Sequence, residues 1–582
     1  MATSTTAAKT ESATSAERLR TLAVTFGLSA VSWGLFGLAL DPINLWWLSF
    51  FAYVPLFLAA RRAGQAGDGG WPSAAGATLG ALPFWLFQQR WIADISAAGF
   101  VPFAVYLSAY SGLFVWITGS ARRRFPRVPW WFSAIIVWVG LETLRADLVF
   151  DGYPWYLAAQ PLIESSWASA LGAWVGLSGV SAVIVSISAT SAHAIAGSWK
   201  PAALTVAVAA TLLGAAAASR PAGNGTPLVT IAAVQTNVPQ SNKLRSSTED
   251  LVRQHADLMD LTRIAAQANP DVIVWPETMR PGQAFTPEQR LVADEAGVGH
   301  VWDSPSGRVF LPDTRFAVEL LELNRELGIP MLVGEDYAEN LRFTRRDDGR
   351  IEVGYDARFN SVFMVDRGEV LPGRYDKLFR TPFGETMPWI RAFPAIESKL
   401  LALAAGGLKL DLAAGQGPVA FTLSSGTRLA TPICFEVTVP SVCRQLVVGP
   451  DGRRRADMLV NVTNDGWFGP NAVGKSHHAQ LARWRCVELA VPLVRAANSG
   501  ISSAADSRGV PLGGRQWTSA SGWTEVPVLK LASNTAGVVV CTVPRPGEPT
   551  LYGRTGNLLG PAGVGGLSAL VLILLWSRFS KR

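Results

Sequence analysis

Long apolar runs fill the first third of the chain and then stop. Residues 22–40, 45–60, 73–87, 100–118, 130–148, 177–196 and 202–219 are mostly apolar, and one more such run occupies 558–576. A helix needs about 20 apolar residues to cross the hydrocarbon core of a bilayer. The pattern therefore predicts seven membrane helices, a long polar stretch and a final eighth helix. Within that stretch, residues 227–548 change period. Short β-rich runs at 228–234, 272–274, 331–333, 361–365, 429–433 and 458–461 alternate with helical stretches at 248–268 and 314–327. Alternation of this kind predicts layered sheets with covering helices. Residues 287–313 look irregular and read as a surface excursion.

Four parts follow from the pattern. Residues 1–17 are expected to be a disordered cytoplasmic tail, 18–222 a membrane domain of seven helices, 223–554 an α/β domain, and 555–582 the eighth helix with a cytoplasmic end.

Composition supports a membrane protein. Of 582 residues, 49% are hydrophobic and 16% charged, against about 25% charged in an ordinary globular protein. Twenty-two Trp and 26 Phe suit side chains that settle at membrane–water interfaces. Four cysteines are too few for a disulfide scaffold, although one pair among Cys443, Cys486 and Cys541 could bridge. The net charge of +7 does not point to nucleic acid, because no basic stripe is interleaved with aromatics. Instead Arg18, Arg20, Arg61, Arg62, Arg122, Arg123, Arg124, Arg127, Lys200, Arg578, Lys581 and Arg582 flank the apolar runs. Eight spans place all of them on one side, which the positive-inside rule makes cytoplasmic. The α/β domain is then extracytoplasmic.

Three places in the α/β domain could carry chemistry. Val272-Ile273-Val274-Trp275-Pro276-Glu277 puts a carboxylate just past a buried strand, where open α/β sheets place their ligand sites. Tyr375-Asp376-Lys377 is followed by Thr381-Pro382-Phe383-Gly384-Glu385. Thr431-Pro432-Ile433-Cys434-Phe435-Glu436 ends another strand in a cysteine beside an acid. A thiol, a carboxylate base and an ammonium together suffice for nucleophilic acyl transfer. Taken singly, each has a plainer reading: a core cysteine, a loop acid, a solvated lysine. The residues alone leave both readings open.

In order and wording these three segments resemble the Glu–Lys–Cys triad of the carbon–nitrogen hydrolase (nitrilase) superfamily. With seven helices before them and one after, the chain resembles the apolipoprotein N-acyltransferase family. Asp151-Gly152-Tyr153-Pro154-Trp155, Val234-Gln235-Thr236-Asn237-Val238-Pro239-Gln240, Asn461-Val462-Thr463-Asn464-Asp465-Gly466-Trp467-Phe468-Gly469 and Arg495-Ala496-Ala497-Asn498-Ser499-Gly500 also fit. The family differs from this chain at Leu244, Phe435 and Asn557. The resemblance implies a multi-pass α-helical membrane domain joined to an extracytoplasmic α/β nitrilase-like domain, an α-β-β-α sandwich. It implies that Glu277 is the general base, Lys377 the oxyanion stabiliser and Cys434 the nucleophile, with Glu385 and Glu436 as supporting acids. The expected donor is a membrane phospholipid. The expected acceptor is the α-amine of a diacylglyceryl-modified apolipoprotein, reached through a Cys thioester in the last step of lipoprotein maturation. A monomer in the bacterial plasma (inner) membrane is expected, in contact with the lipid bilayer and with no cofactor, metal or nucleic acid. A membrane-anchored amidase or a non-enzymatic scaffold are the alternatives.

Further candidates concern substrate contacts. Trp389, Phe435, Trp467 and Arg145 are expected near the lipid. Glu142 and Arg145 stand three apart on one helical face, so they can pair or hold a head group; Arg90 and Asp94 raise the same question. His477 and His478 open a helical run expected to reach Arg495, and adjacent positions on a helix point to different faces.

Overall fold

The computed structural model describes residues 15–65, 70–195, 197–219, 225–239, 247–304, 307–347, 351–393, 395, 399 and 412–579. Helices form where the apolar runs predict them: α1 (Ser15–Ala39), α2 (Val54–Ala63), α3 (Trp71–Gln88), α4 (Ala97–Arg124), α5 (Trp130–Thr143), α6 (Gly172–Ile195) and α7 (Lys200–Ala218). Among the described residues, five helices are long and apolar enough to cross a membrane: α1, α4, α6, α7 and the C-terminal one. Three of the eight expected spans are not among them: α3, 18 residues long with Pro83 inside it, and two that come out short. The second run is divided between a 3₁₀ turn, Trp46–Phe50, and α2, which starts with Pro55 in its first turn, a position that tolerates the missing N–H. The fifth run leaves α-helical geometry after Thr143 in a π turn, Leu144–Leu148. Ser15, Ala16 and Glu17, expected in the tail, already belong to α1; the rest of that tail lies outside the described residues.

The bundle has two unlike ends. At one, Arg122 donates to the Arg61 carbonyl at 2.6 Å and Arg123 to that of Ala63. At the other, Tyr156, Gln160 and Glu164 meet the α/β domain.

That domain is a four-layer sandwich. Its elements in chain order are β1 (Pro227–Gln235), α8 (Thr248–Ala266), β2 (Val272–Val274), α9 (Arg315–Leu327), β3 (Met331–Glu339), β4 (Ala357–Asp366), β5 (Glu369–Asp376), β6 (Ala420–Thr422), β7 (Arg428–Ala430), α10 (Pro440–Val447), β8 (Met458–Thr463), α11 (Ala472–Leu489), β9 (Leu493–Ala497), β10 (Ser503–Ala505), β11 (Gly514–Thr518), β12 (Gly522–Val526) and β13 (Gly537–Pro544). One sheet has the order β12-β11-β13-β1-β2-β3-β4-β5, the other β6-β7-β8-β9-β10. Period-two alternation sets the layers. On β1, Ala232 and Val234 pack with Leu258 of α8 and Leu320 of α9, while Ile231 and Ala233 join the core shared with Leu459 and Val494 of the second sheet. The helix expected as the eighth span, α12 (Leu559–Phe579), follows, its first turn capped by Asn557 Oδ1 accepting from the Gly560 N–H.

Two expectations change. The excursion at 287–313 is a helix, Pro287–Ala296, followed by a hairpin of Gly299–Ser304 and Gly307–Pro312. Thr286 and Gln289 form a capping box at that helix's start, a signal that was legible in the sequence. The run from His477 does not stay helical to Arg495. Ala490 turns left-handed (φ 50°) and ends α11, and Arg495 lies on β9.

Candidate active site

Parallel strands deliver the candidate residues to one end of the sandwich. Strands β1, β2 and β3 run parallel, and β5 shares their direction because β4 is antiparallel to both of its neighbours. Glu277 therefore leaves β2 at the same end at which Lys377 leaves β5. In the second sheet β7, β8 and β9 are parallel, so Cys434, Asn464 and Asn498 emerge together. The sheets are tied across this end: Glu277 accepts from Asn360 Nδ2 of β4 at 2.5 Å and from the Asn464 N–H at 2.6 Å. A carboxylate held by two donors is fixed in orientation.

Lys377 donates to Glu385 at 2.8 Å and to Thr381 Oγ1 at 3.3 Å. Burial alone would lower the ammonium's pKa, but the charges of Glu385 and Glu277 help to outweigh burial and raise it. Against the upward push of burial, Lys377 holds the Glu385 carboxyl below its usual value. Its surroundings thus favour the charged form of Lys377. Cys434 sits between two opposing charges. Burial and Glu277 push its thiol up, and Lys377 pulls it down. The resting group is a thiol beside a carboxylate and an ammonium, ready to give up its proton once an electrophile arrives.

The local backbone at this thiol is strained. Cys434 has φ 51°, a left-handed conformation that costs a non-glycine residue of order 1–2 kcal/mol. Glu436 supports the turn. Its carboxylate accepts from the N–H groups of Ile433, Leu378 and Phe379 and from the Tyr375 hydroxyl. It therefore joins the cysteine loop to the lysine loop. Burial raises the Glu436 carboxyl to about 7.

The remaining expected residues fall in different places. Phe435 is buried and stacks with Phe379 at 6.2 Å. Trp467 is half-buried in the turn Asp465–Phe468. Trp389 is 54% exposed, left-handed at φ 62°, and lies 4.9 Å from Phe150 of the membrane domain. Arg145, expected at a lipid head group, is buried instead. It donates to the carbonyls of Tyr153, Trp155 and Tyr156. Nor does it pair with Glu142, which accepts from the Ala158 N–H at 2.8 Å. Both hold the 153–158 loop in place. Arg90 likewise turns to the Phe87 carbonyl and ring. All four cysteines are free, and no cluster of metal-ligating side chains occurs among the described residues. Leu244 lies outside the described residues.

Sequence reasoning assigned no role to the polar network behind Cys434. Arg495 pairs with Asp465 at 2.5 Å, Asp465 meets His478 at 3.0 Å, and His478 reaches the Cys434 carbonyl oxygen at 3.2 Å. Burial opposes the Asp465 charge, but Arg495 and His478 overcome it and depress the carboxyl. The two-faced histidine pair was the available signal. His477 points the other way, to the Tyr156 hydroxyl at 3.2 Å and the Asp41 carbonyl at 3.3 Å.

Comparison with known proteins agrees with this architecture. Residues 32–190 match the apolipoprotein N-acyltransferase N-terminal domain, and residues 230–528 match the carbon-nitrogen hydrolase domain. An apolipoprotein N-acyltransferase of Bordetella bronchiseptica is 30% identical over 81% of this chain and 84% of its own length. One from Rhodopseudomonas palustris is 28% identical over 95% of this chain and 94% of its own. Among solved structures, a nitrilase-superfamily amidase from Nesterenkonia is 16% identical, covers 59% of this chain and 95% of its own, and superposes with a TM-score of 0.32.

Proposed function

Because the chain belongs to the apolipoprotein N-acyltransferase family, within the carbon–nitrogen hydrolases, we propose that it transfers an acyl chain from a membrane phospholipid to the α-amine of a diacylglyceryl-modified apolipoprotein. It is a membrane acyltransferase. The observation that carries the mechanism is the delivery of Glu277, Lys377 and Cys434 to one end of the sandwich by parallel strands, where Glu277 is tied to Asn464 of the second sheet.

Glu277 takes the Cys434 proton, and the sulfur attacks the ester carbonyl of the phospholipid. The Lys377 ammonium faces the oxyanion, a contribution of roughly 10²–10³ in rate for one donor. As the tetrahedral intermediate collapses, Glu277 returns its proton to the departing lysophospholipid alcohol, leaving a thioester on Cys434. The lipoprotein amine then attacks that thioester. Glu277 accepts the amine proton and delivers it to the leaving thiolate, which restores the resting site. Glu385 orients Lys377, and Glu436 keeps the two loops in register.

The placement of the site supports lipid substrates. The 383–389 segment lies against the bundle, where both Phe383 and Trp389 meet Phe150. The Arg61–Arg122 end of the bundle is assigned to the cytoplasm of the bacterial inner membrane and the catalytic domain to the periplasmic side, in keeping with the positive-inside rule. One chain supplies every residue of the triad, which suits a monomer.

The test is acyl loading. Phospholipid alone, with no lipoprotein present, is expected to add one fatty acyl mass to the protein, and neutral hydroxylamine to remove it. Adding the acceptor should move the acyl group to its amine. Loading on another cysteine, or acyl release to water at the same rate with and without acceptor, would overturn the reading.

A further inference from the structure

The Cys434 carbonyl oxygen can only accept hydrogen bonds, and two side chains reach it. His478 Nε2 is 3.2 Å away and Asn461 Nδ2 is 3.5 Å away. Asn461 Nδ2 also donates to the Pro432 carbonyl at 2.9 Å, so His478 is the group devoted to Cys434. For that bond to exist, Nε2 must carry the proton. The other ring nitrogen, Nδ1, stands 3.0 Å both from Arg495 Nη2, which can only donate, and from Asp465 Oδ1, which can only accept; Arg495 and Thr463 Oγ1 hold that carboxylate. Burial and the Arg495 charge favour the neutral ring, and Asp465 and the Cys434 carbonyl oppose them without prevailing.

The ring is also fixed from its face. Trp155, on the loop gripped by Arg145, lies 5.6 Å from the His478 ring, and Phe468 lies 5.9 Å from it. A chain of contacts thus runs from Arg145 in the membrane domain through Trp155 to His478 and the nucleophile's own carbonyl. The left-handed Cys434 backbone requires such a restraint, because a lone residue in that conformation relaxes unless its surroundings over-determine it.

We propose that His478 is a positioning residue for the nucleophile: its Nε2–H holds the Cys434 carbonyl and so keeps the strained turn aimed at the acyl donor. The proposal rests on Cys434 being the acylated residue. It assigns His478 no proton transfer, so the residue sets how often the sulfur meets the carbonyl correctly and not how basic it is.

Two variants of the full-length protein in detergent separate this from general packing. The amide of Gln in His478→Gln reaches about as far as Nε2, whereas that of Asn in His478→Asn reaches only as far as Nδ1. The donor is a p-nitrophenyl fatty ester, and the burst of nitrophenolate reports Cys434 acylation. His478→Asn is expected to acylate about 10–100-fold more slowly, the worth of one buried hydrogen bond, with KM unchanged. His478→Gln should recover at least tenfold of that loss. The pH dependence of Cys434 alkylation by iodoacetamide should match wild type in both. Any of three results overturns the proposal: wild-type acylation by His478→Asn, loss through KM alone, or a folded His478→Gln more than tenfold slow. A shifted alkylation profile would also overturn it, by making His478 a base. If His478→Asn does not fold, the rate and profile of His478→Gln still decide. Should wild type load from the ester but never from phospholipid, the lipid reading fails while the positioning role stands.

Discussion

Helices α1 and α3 meet over Gly76 and Gly80, where an added Cβ would stand 2.4 Å from the Leu22 carbonyl oxygen and 2.3 Å from that of Phe26. At the catalytic end of the sandwich, in contrast, the sheets and loops meet over buried charge. Glu277 bridges to Asn464, Lys377 to Glu385, and Arg495 to Asp465. The difference follows from solvent. Within a bilayer, helices satisfy their own backbone and associate by close packing over small residues. The catalytic domain can bury charges only because each finds a partner. At this end the buried charges are also the chemistry, whereas the bundle supplies shape and support.

The sharpest way to break this comparison is to remove a charge that acts on the reaction. Glu277→Gln and Lys377→Ala are each expected to lower N-acylation by about 10³-fold or more with the protein still folded, read by mass spectrometry of a lipoprotein N-terminus. Lys377→Arg should also fail, because a planar guanidinium does not replace a compact ammonium. Near-normal acylation at equal protein level would remove that residue from the site.

A supporting charge should cost stability as well as rate. Glu436→Gln keeps one carbonyl oxygen but loses the second acceptor that serves the Ile433 N–H and the Tyr375 hydroxyl. Each donor left unpaired costs about 1–3 kcal/mol, so thermal unfolding in detergent should move down and Cys434 loading should slow. An unchanged melting temperature would show that the two loops hold without it.

The buried pairs also predict a pH limb. Asp465 and Glu385 both titrate below their usual values of 3.8 and 4.5 in the folded protein. The unfolded chain therefore binds protons first as pH falls. Their contribution is complete above those unfolded values and is lost as pH drops through the folded ones. Asp465→Asn should flatten this acid limb, measured by unfolding midpoints from pH about 6 to about 3.

The smallest effect on chemistry is expected in the bundle. Gly80→Ala overpacks α3 against α1 and should destabilise by about 1–3 kcal/mol, leaving acyl loading per folded molecule unchanged. Lost loading at full stability would mean that the bundle does more than support.

Much of the fold was legible because its causes are local. Apolar runs and period-two strands are written in consecutive residues, and so are Thr286 and Gln289, the capping pair of a helix expected as irregular chain. Arg145 was misleading for the opposite reason. Its spacing from Glu142 suggests a pair, but the carbonyls that it serves lie on a loop whose path is set by Phe150 and Gly152 in positive-φ conformations. The site was half legible. Glu277, Lys377 and Cys434 stand out by chemistry and by resemblance, while Asn360, Asp465 and His478 are ordinary residues until the strands bring them together.

By itself, then, the sequence determined the order of the parts: apolar runs commit to helices wherever they lie, and strand ends carry their reactive residues with them. Only the tertiary structure decided what those residues face. Which N–H holds Glu277, which carbonyl His478 reaches and which hydroxyl His477 meets depend on contacts between segments 44 to 321 residues apart. Hydrogen bonds act over about 3 Å, so no reading along the chain could assign them before the two sheets closed on each other and on the bundle.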